Sequence, residues 1–224
     1  MKNNKSIRIG IIGVGHLGNF HLKQLTTIQT ASIVGIFDID FERSEEISRE
    51  YNVPVFPNIE SLLNEIDAVS IVTPTRYHYE IADKALNNDC HVFIEKPITD
   101  NLSHANKLLK KAKENDKIIQ VGHIERFNPA FMALDICQME PRFIEAHRLA
   151  PFNIRGNDVP VVLDLMIHDL DIILSLVDSK IKDIRANGVK VVSRNIDIAN
   201  SRLEFDNGCV ANITASRISQ KEMR

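Results

Sequence analysis

The stretch IRIGIIGVGHLGNFHLKQL sets Gly13, Gly15 and Gly18 in G-x-G-x-x-G spacing, directly after a β-rich apolar run and at the opening of a helical pattern. In a strand–turn–helix unit each glycine has a separate task. The first permits the tight turn, the second lets backbone approach a pyrophosphate, and the third lets the helix pack close to the strand. His16 and Leu17 then open a helix whose unsatisfied N–H groups and positive dipole end attract an anion without needing a lysine. Asp38 closes the second strand 20 residues after Gly18. There a carboxylate accepts hydrogen bonds from both ribose hydroxyls and repels a 2′-phosphate, so the predicted cofactor is NAD rather than NADP. Arg43 keeps NADP open, and a nucleotide-free flavodoxin-like fold with the same glycine turn is the bland alternative.

Short apolar runs alternate with helical patterns to about residue 122, which predicts a parallel sheet with crossover helices. Strands are expected near Ile7–Ile12, Ile33–Phe37, Ala68–Val72, Val92–Glu95 and Ile118–Val121, with a weaker one at Val53–Phe56. Helices are expected near His16–Thr27, Phe41–Tyr51, Tyr77–Asn87 and Ser103–Asn115. The pattern then changes. A helix-like stretch follows Asn128–Pro129, a strand covers Arg142–Leu149, and an apolar helix starts at Pro160. Asp206-Asn207-Gly208 reads as a hairpin turn between two strands. The fold class is therefore α/β: a dinucleotide-binding Rossmann domain over residues 1–124, then an α+β domain with an open antiparallel sheet over residues 125–224.

Ligands of open parallel sheets bind beyond the carboxyl ends of the strands. Two such ends stand out: Thr73-Pro74-Thr75 with His78, and Glu95-Lys96-Pro97. All of these, Glu95 and Lys96 included, join the expected cofactor-binding set. Lys96 suits polarisation of a carbonyl or movement of a proton, and the following proline, whose peptide is free to be cis or trans, fixes the chain. A plain surface lysine before a helix is the competing reading.

The segment PVVLDLMIHDLDIILSLV is apolar nearly all round at 100° per residue, with Leu163, Ile167, Leu170, Leu174 and Val177 on one face. Asp164, His168, Asp171 and Ser175 form a narrow polar stripe between the faces. Buried ionisable groups must be paired or face a ligand. Asp164 can orient His168 and raise its basicity for acid–base work, while a helix-cap network or solvated edge would explain the stripe without chemistry.

Lys plus Arg number 27 against 30 Asp plus Glu, a net charge of −3 without a basic run, which argues against nucleic acid and an anionic membrane surface. No apolar stretch reaches the roughly 20 residues of a membrane span, and the start MKNNKSIRIG has no signal-peptide core, so a cytoplasmic protein is expected. Cys90, Cys137 and Cys209 lack metal or disulfide spacing and read as small core residues. A metal site of Asp164, His168 and Asp171 with His123 or His147 is conceivable, but nothing has HExxH spacing; none is expected.

Taken in order, GVGHLG, Asp38, VTPT, EKP, GHIERFNPA and DLMIHD resemble the Gfo/Idh/MocA family of NAD(P)-dependent oxidoreductases along essentially the whole chain. The resemblance implies that Lys96, Asp164 and His168 are catalytic and act on the alcohol being oxidised. It also implies homo-oligomer contacts through the C-terminal sheet, and that this sheet is incomplete here. VGHIERFNPAF, DVPVVLDLMIHDLDIIL and GCVANITASRIS are most similar to the subgroup that oxidises the 3-hydroxyl of UDP-N-acetylglucosamine alongside lipid A assembly. Arg126, Asn128, Arg148 and Arg155 are then candidates for holding a nucleotide-sugar. An inositol or other polyol as substrate, or a non-catalytic NAD-binding regulator, are the remaining readings.

Overall fold

The computed structural model describes residues 6–135, 139–153 and 158–223; Cys137 and Arg155 lie outside them. The chain divides into two compact units, one ending at Gly122 and the other beginning at His123.

The first unit is a five-stranded parallel sheet in the order β2-β1-β3-β4-β5, with β1 Ile7–Ile12, β2 Ala31–Phe37, β3 Ala68–Ile71, β4 His91–Ile94 and β5 Ile119–Val121. Helices α1 His16–Leu25, α2 Phe41–Tyr51, α3 Ile59–Leu63, α4 His78–Asn87 and α5 Leu102–Glu114 alternate with the strands. Ile11, Leu22, Ile36 and Ile47 form one core cluster, and Ile12, Leu63, Ile71, Leu86, Ile94 and Leu108 belong to another. With β2 on one side of β1 and β3 on the other, the order reverses at β1. The crevice of such a sheet opens at that reversal, beyond the carboxyl ends of β1 and β3.

Asn and Asp side chains start three of these helices. Asp40 accepts from the Arg43 amide at the head of α2, Asn58 from Ser61 at α3, and Asn101 from His104 at α5. The α1 helix differs: its cap is Gly15, with no side-chain hydrogen bond among the described residues. The expected strand at Val53–Phe56 is only a bridge between Val55 and Ile36, and α3 was not foreseen. Five residues with apolar positions at 59, 62 and 63 are too few to show a period.

The second unit opens with α6 Pro129–Asp135 and β6 Phe143–Leu149. A π-helical turn, Val162–Met166, then leads into α7 Ile167–Leu176, followed by β7 Ile181–Val189, β8 Ile198–Phe205 and β9 Val210–Ser216. The sheet runs β6-β9-β8-β7; β7, β8 and β9 pair antiparallel, while β6 joins β9 in parallel. Gly208, at φ 82°, makes the β8–β9 hairpin as the Asp-Asn-Gly sequence predicts. Val161, Met166, Ile173 and Val177 pack on Leu203, Phe205, Ala211 and Ile213. Of the apolar stripe read at 100° per residue, Val177 is buried and Leu170 packs on this core, whereas Leu174 is 50% exposed and Ile173, off the stripe, is at 2%. One wider turn holds more residues per revolution and rotates everything after it.

The start of this helix is tied to the sheet by a buried knot. Asp197 is fully buried; one carboxylate oxygen accepts the backbone N–H groups of Val191, Val192 and Ser193 at 2.8–2.9 Å, and the other accepts the Ser193 hydroxyl. Arg217 Nε lies 3.7 Å from it, and Arg217 Nη2 donates to the carbonyls of Val159 and Ile196. The Ser193 hydroxyl, against the opposing effect of burial and with help from the three amides, holds the Asp197 carboxyl well below the usual carboxylate range. Since its folded pKa lies below its unfolded one, this group adds stability above about pH 4 and loses it as pH falls below that. An Asp197→Ala variant should therefore melt at a lower temperature than the parent at neutral pH. Circular-dichroism melts should show the gap narrowing as the buffer is taken below about pH 4.

Cys90 and Cys209 are buried free thiols, as read from the sequence. Burial pushes the Cys90 thiol up to about 11, which leaves it in the unreactive neutral form. No helix among the described residues is long and apolar enough to cross a membrane.

Candidate cofactor and catalytic site

In the first unit the three glycines have distinct surroundings. Gly13 has φ 90°, and a Cβ there would lie 2.6 Å from the Val72 carbonyl oxygen; a Cβ on Gly18 would lie 1.9 Å from the Gly13 carbonyl oxygen. These two close the turn and seat the helix. A Cβ on Gly15 would meet nothing within 4 Å. That leaves an open cradle at the uncapped N-terminus of α1, with His16 and Leu17 exposed beside it.

Two buried oxygens at this end of the sheet, Asn19 Oδ1 and Thr73 Oγ1, have no hydrogen-bond partner among the described residues. Such groups are costly to bury unless something else completes them. Asp38 lies at the end of β2, where one carboxylate oxygen accepts the Val14 amide at 2.7 Å and the other the Asp40 amide at 3.0 Å. The carboxylate thus holds the glycine loop to the end of β2. Arg43, the residue that kept a 2′-phosphate open, donates to the Val14 carbonyl and to Glu46. Open cradle, uncapped helix, orphan oxygens and terminal carboxylate together fit a dinucleotide.

At the other strand ends, Pro74 is exposed and Thr75 buried in a short 3₁₀ turn. His78 is 1% exposed, and its ring nitrogens sit 2.9 Å from the Pro97 carbonyl oxygen and 2.8 Å from that of Thr73. It braces the two loops against each other. Glu95 follows β4, Lys96 is half-buried, and the Lys96–Pro97 peptide is cis, one of the two geometries open to it.

The sequence reading did not single out His21 or Ser70. His21 Nε2 lies 3.0 Å from Glu95 Oε1 and its Nδ1 2.9 Å from Ser70 Oγ. These residues come from α1, β3 and the end of β4, and no local spacing links them.

In the second unit Asp164 lies within the π turn and His168 in the first turn of α7, both half-buried. π turns are over-represented at functional sites. Further along the stripe, Asp171 receives Arg126 in a two-pronged pair, Nε at 2.6 Å and Nη2 at 2.7 Å, with His123 Nδ1 3.8 Å away. Ser175 donates to the Ile172 carbonyl, so the C-terminal half of the stripe is satisfied internally.

The expected substrate arginines separate. Arg126 keeps about half of its side chain exposed; the hydrogen bonds to Asp171, partly offset by burial, raise its pKa above the usual value. Arg148 does not present itself to a ligand. It is 8% exposed and forks onto Asp169, with a weaker contact to Glu125 at 3.5 Å. Burial alone would lower its pKa, but Asp169 outweighs that and raises it. Its role is to neutralise Asp169, which a sequence pattern cannot distinguish from diphosphate binding. Arg148→Met should strand that carboxylate and destabilise the protein by about 3 kcal/mol, read from urea unfolding. Asn128 caps α6 by accepting the Ala130 amide.

Residues 7–123 match the family model described as oxidoreductase family, NAD-binding Rossmann fold, and residues 144–224 match the GFO/IDH/MocA C-terminal domain. The chain belongs to the Gfo/Idh/MocA oxidoreductase family. Across 219 residues it is 42% identical to UDP-N-acetylglucosamine 3-dehydrogenase of Acidithiobacillus ferrooxidans, covering 97% of this chain and 69% of that one. A solved structure of that enzyme superposes with a TM-score of 0.91, covering 98% of this chain and 72% of that chain. The scyllo-inositol 2-dehydrogenase (NAD(+)) of Bacillus subtilis is 30% identical over 95% of this chain and 68% of its own. This member of the Gfo/Idh/MocA family is therefore an oxidoreductase with an NAD-binding Rossmann domain followed by the family's C-terminal domain.

Proposed function

We propose that the chain oxidises a hydroxyl of a nucleotide-linked amino sugar, the 3-hydroxyl of UDP-N-acetylglucosamine, using NAD. What carries this reading is the 42% identity over 219 residues with an enzyme of that name, against 30% for the inositol dehydrogenase. NAD is preferred over NADP because Asp38 puts a carboxylate at the ribose position while Arg43 is engaged by Val14 and Glu46.

Gly13, Gly15 and Gly18 with the head of α1 would hold the pyrophosphate, Asp38 the adenosine ribose, and Thr73, Pro74 and Thr75 the far end of the cofactor. Bound NAD supplies the hydride acceptor. His168 as the neutral imidazole takes the proton of the sugar hydroxyl, Asp164 orients the ring, and Lys96 stabilises the developing negative oxygen. Arg126 and Asn128 are assigned to the nucleotide-sugar. Arg126 offers the planar cation that a diphosphate recognises, provided substrate competes with Asp171 for it. The exposed Ile184 and Val189 on edge strand β7 support association with a second copy through this sheet.

The test is incubation with NAD and either UDP-N-acetylglucosamine or an inositol, with a carbonyl trap, following NADH absorbance. Reduction with the nucleotide-sugar and none with inositol is the expected result. Reduction with inositol instead would move the assignment to a polyol dehydrogenase. Bound NAD without turnover of any sugar would favour a regulatory NAD-binding role.

A further inference from the structure

Three residues that no local motif joins, His21, Ser70 and Glu95, form a half-buried polar chain beneath the EKP turn. The Glu95 carboxylate accepts at both ends: Oε1 from His21 Nε2 at 3.0 Å, and Oε2 from the Lys96 backbone N–H at 3.2 Å. A carboxylate can only accept, so the hydrogen between His21 and Glu95 belongs to Nε2. His21 Nδ1 lies 2.9 Å from the Ser70 hydroxyl, which can either donate to a ring nitrogen or accept from it.

The surroundings allow little movement. The Phe93 ring meets the imidazole edge-on with centroids 5.4 Å apart, and Ser70 is 3% exposed. A Cβ on Gly122 would stand 2.8 Å from Glu95 Oε1, so the carboxylate is packed against bare backbone and has no room to swing that way. Burial works against a charge on Glu95. The His21 hydrogen bond and charge, with the amide and charge of Lys96, outweigh it and keep the carboxyl below its ordinary range.

We propose that His21 is a positioning residue for Lys96: held by Ser70, it fixes the Glu95 carboxylate, which in turn fixes the backbone from which Lys96 leaves β4. The idea rests on the assignment of Lys96 given above. It also joins α1, the helix at the cofactor cradle, to the lysine turn by a short chain of hydrogen bonds.

The test compares His21→Leu, His21→Gln and Ser70→Ala in the full chain, with Lys96→Met as reference. Four quantities are read: kcat and KM with UDP-N-acetylglucosamine, NADH affinity by fluorescence, and the rate at which an amine-reactive reagent labels Lys96 by peptide mass spectrometry. His21→Leu should lower kcat by about tenfold or more while KM and NADH affinity stay within about threefold, because misplacement of a reacting group costs rate more than binding. Its Lys96 labelling rate should change relative to the other lysines. His21→Gln should recover most of kcat, since its amide can still donate to Glu95.

Parental kcat and parental Lys96 labelling in a folded His21→Leu protein would overturn the proposal. So would a loss of stability with kcat per folded molecule unchanged. Should the leucine variant not fold, Ser70→Ala decides: altered Lys96 labelling with a lower kcat supports the proposal, and parental values for both overturn it. If no sugar is oxidised by the parent, or if Lys96→Met retains full activity, the functional assignment fails; the labelling rates still report whether His21 positions the lysine.

Discussion

Gly18→Ala is expected to destabilise the first unit by about 3 kcal/mol, a large fraction of the stability of an ordinary domain. Its Cβ would fall 1.9 Å from the carbonyl oxygen and 2.8 Å from the carbonyl carbon of Gly13. Both are backbone atoms of a turn at φ 90° whose Gly13 amide is bonded to the Phe37 carbonyl at 2.8 Å, so relief would require moving α1 away from β1. Gly15→Ala is the matched control. Its Cβ enters open space, so the unfolding midpoint in urea should stay near the parental value while NAD affinity falls by about tenfold, equivalent to about 1.4 kcal/mol. A Gly18→Ala protein with parental stability would show that the helix can be displaced at little cost. Undiminished NAD affinity in Gly15→Ala would place the pyrophosphate elsewhere.

The second large effect concerns chemistry. His168→Asn and Lys96→Met are each expected to lower kcat by about a thousandfold, the range associated with loss of a positioned proton-transfer group or charge stabiliser. NAD affinity should remain within about threefold, because neither residue belongs to the glycine turn or to the carboxylate at the end of β2. The pair should also be non-additive: once one is gone, removing the other should cost far less than a second thousandfold. Stopped-flow absorbance at the NADH wavelength, with fluorescence titration of NADH, separates the two quantities. A parallel loss of cofactor affinity in either variant would reassign that residue to binding.

Much of the first unit was legible in the chain because its signals are local. Gly13, Gly15 and Gly18 occur within one turn and one helix start, and Asp38 follows a strand whose end the apolar run already marks. The hairpin at Asp206-Asn207-Gly208 is of the same kind, since a positive φ is demanded and met by a single glycine. The π turn at Val162–Met166 was not legible, because a uniform helical wheel assumes the rotation per residue that this segment departs from. Leu174, placed on the apolar stripe, is half exposed.

The charged residues were least readable. Arg126 and Arg148 were candidates for a ligand, and Asp171 was left as either paired or ligand-facing, when only the type and spacing of side chains were considered. Arg148 turned out to be consumed by Asp169, and Asp171 by Arg126, through pairs that cross from β6 and the 3₁₀ turn Ile124–Phe127 to α7. A charge in sequence has no sign of its partner, because a side-chain ion pair acts over a few ångströms of space regardless of separation along the chain.

Local backbone requirements, a glycine where no Cβ fits and a carboxylate where a strand ends, were therefore determined by the sequence itself, and with them the fold class and the dinucleotide cradle. Which polar groups are spent on one another and which face the reaction was decided only by tertiary structure. His21, Ser70 and Glu95 meet because β3 and β4 lie side by side with α1 packed over them, and that juxtaposition exists only once the sheet has formed.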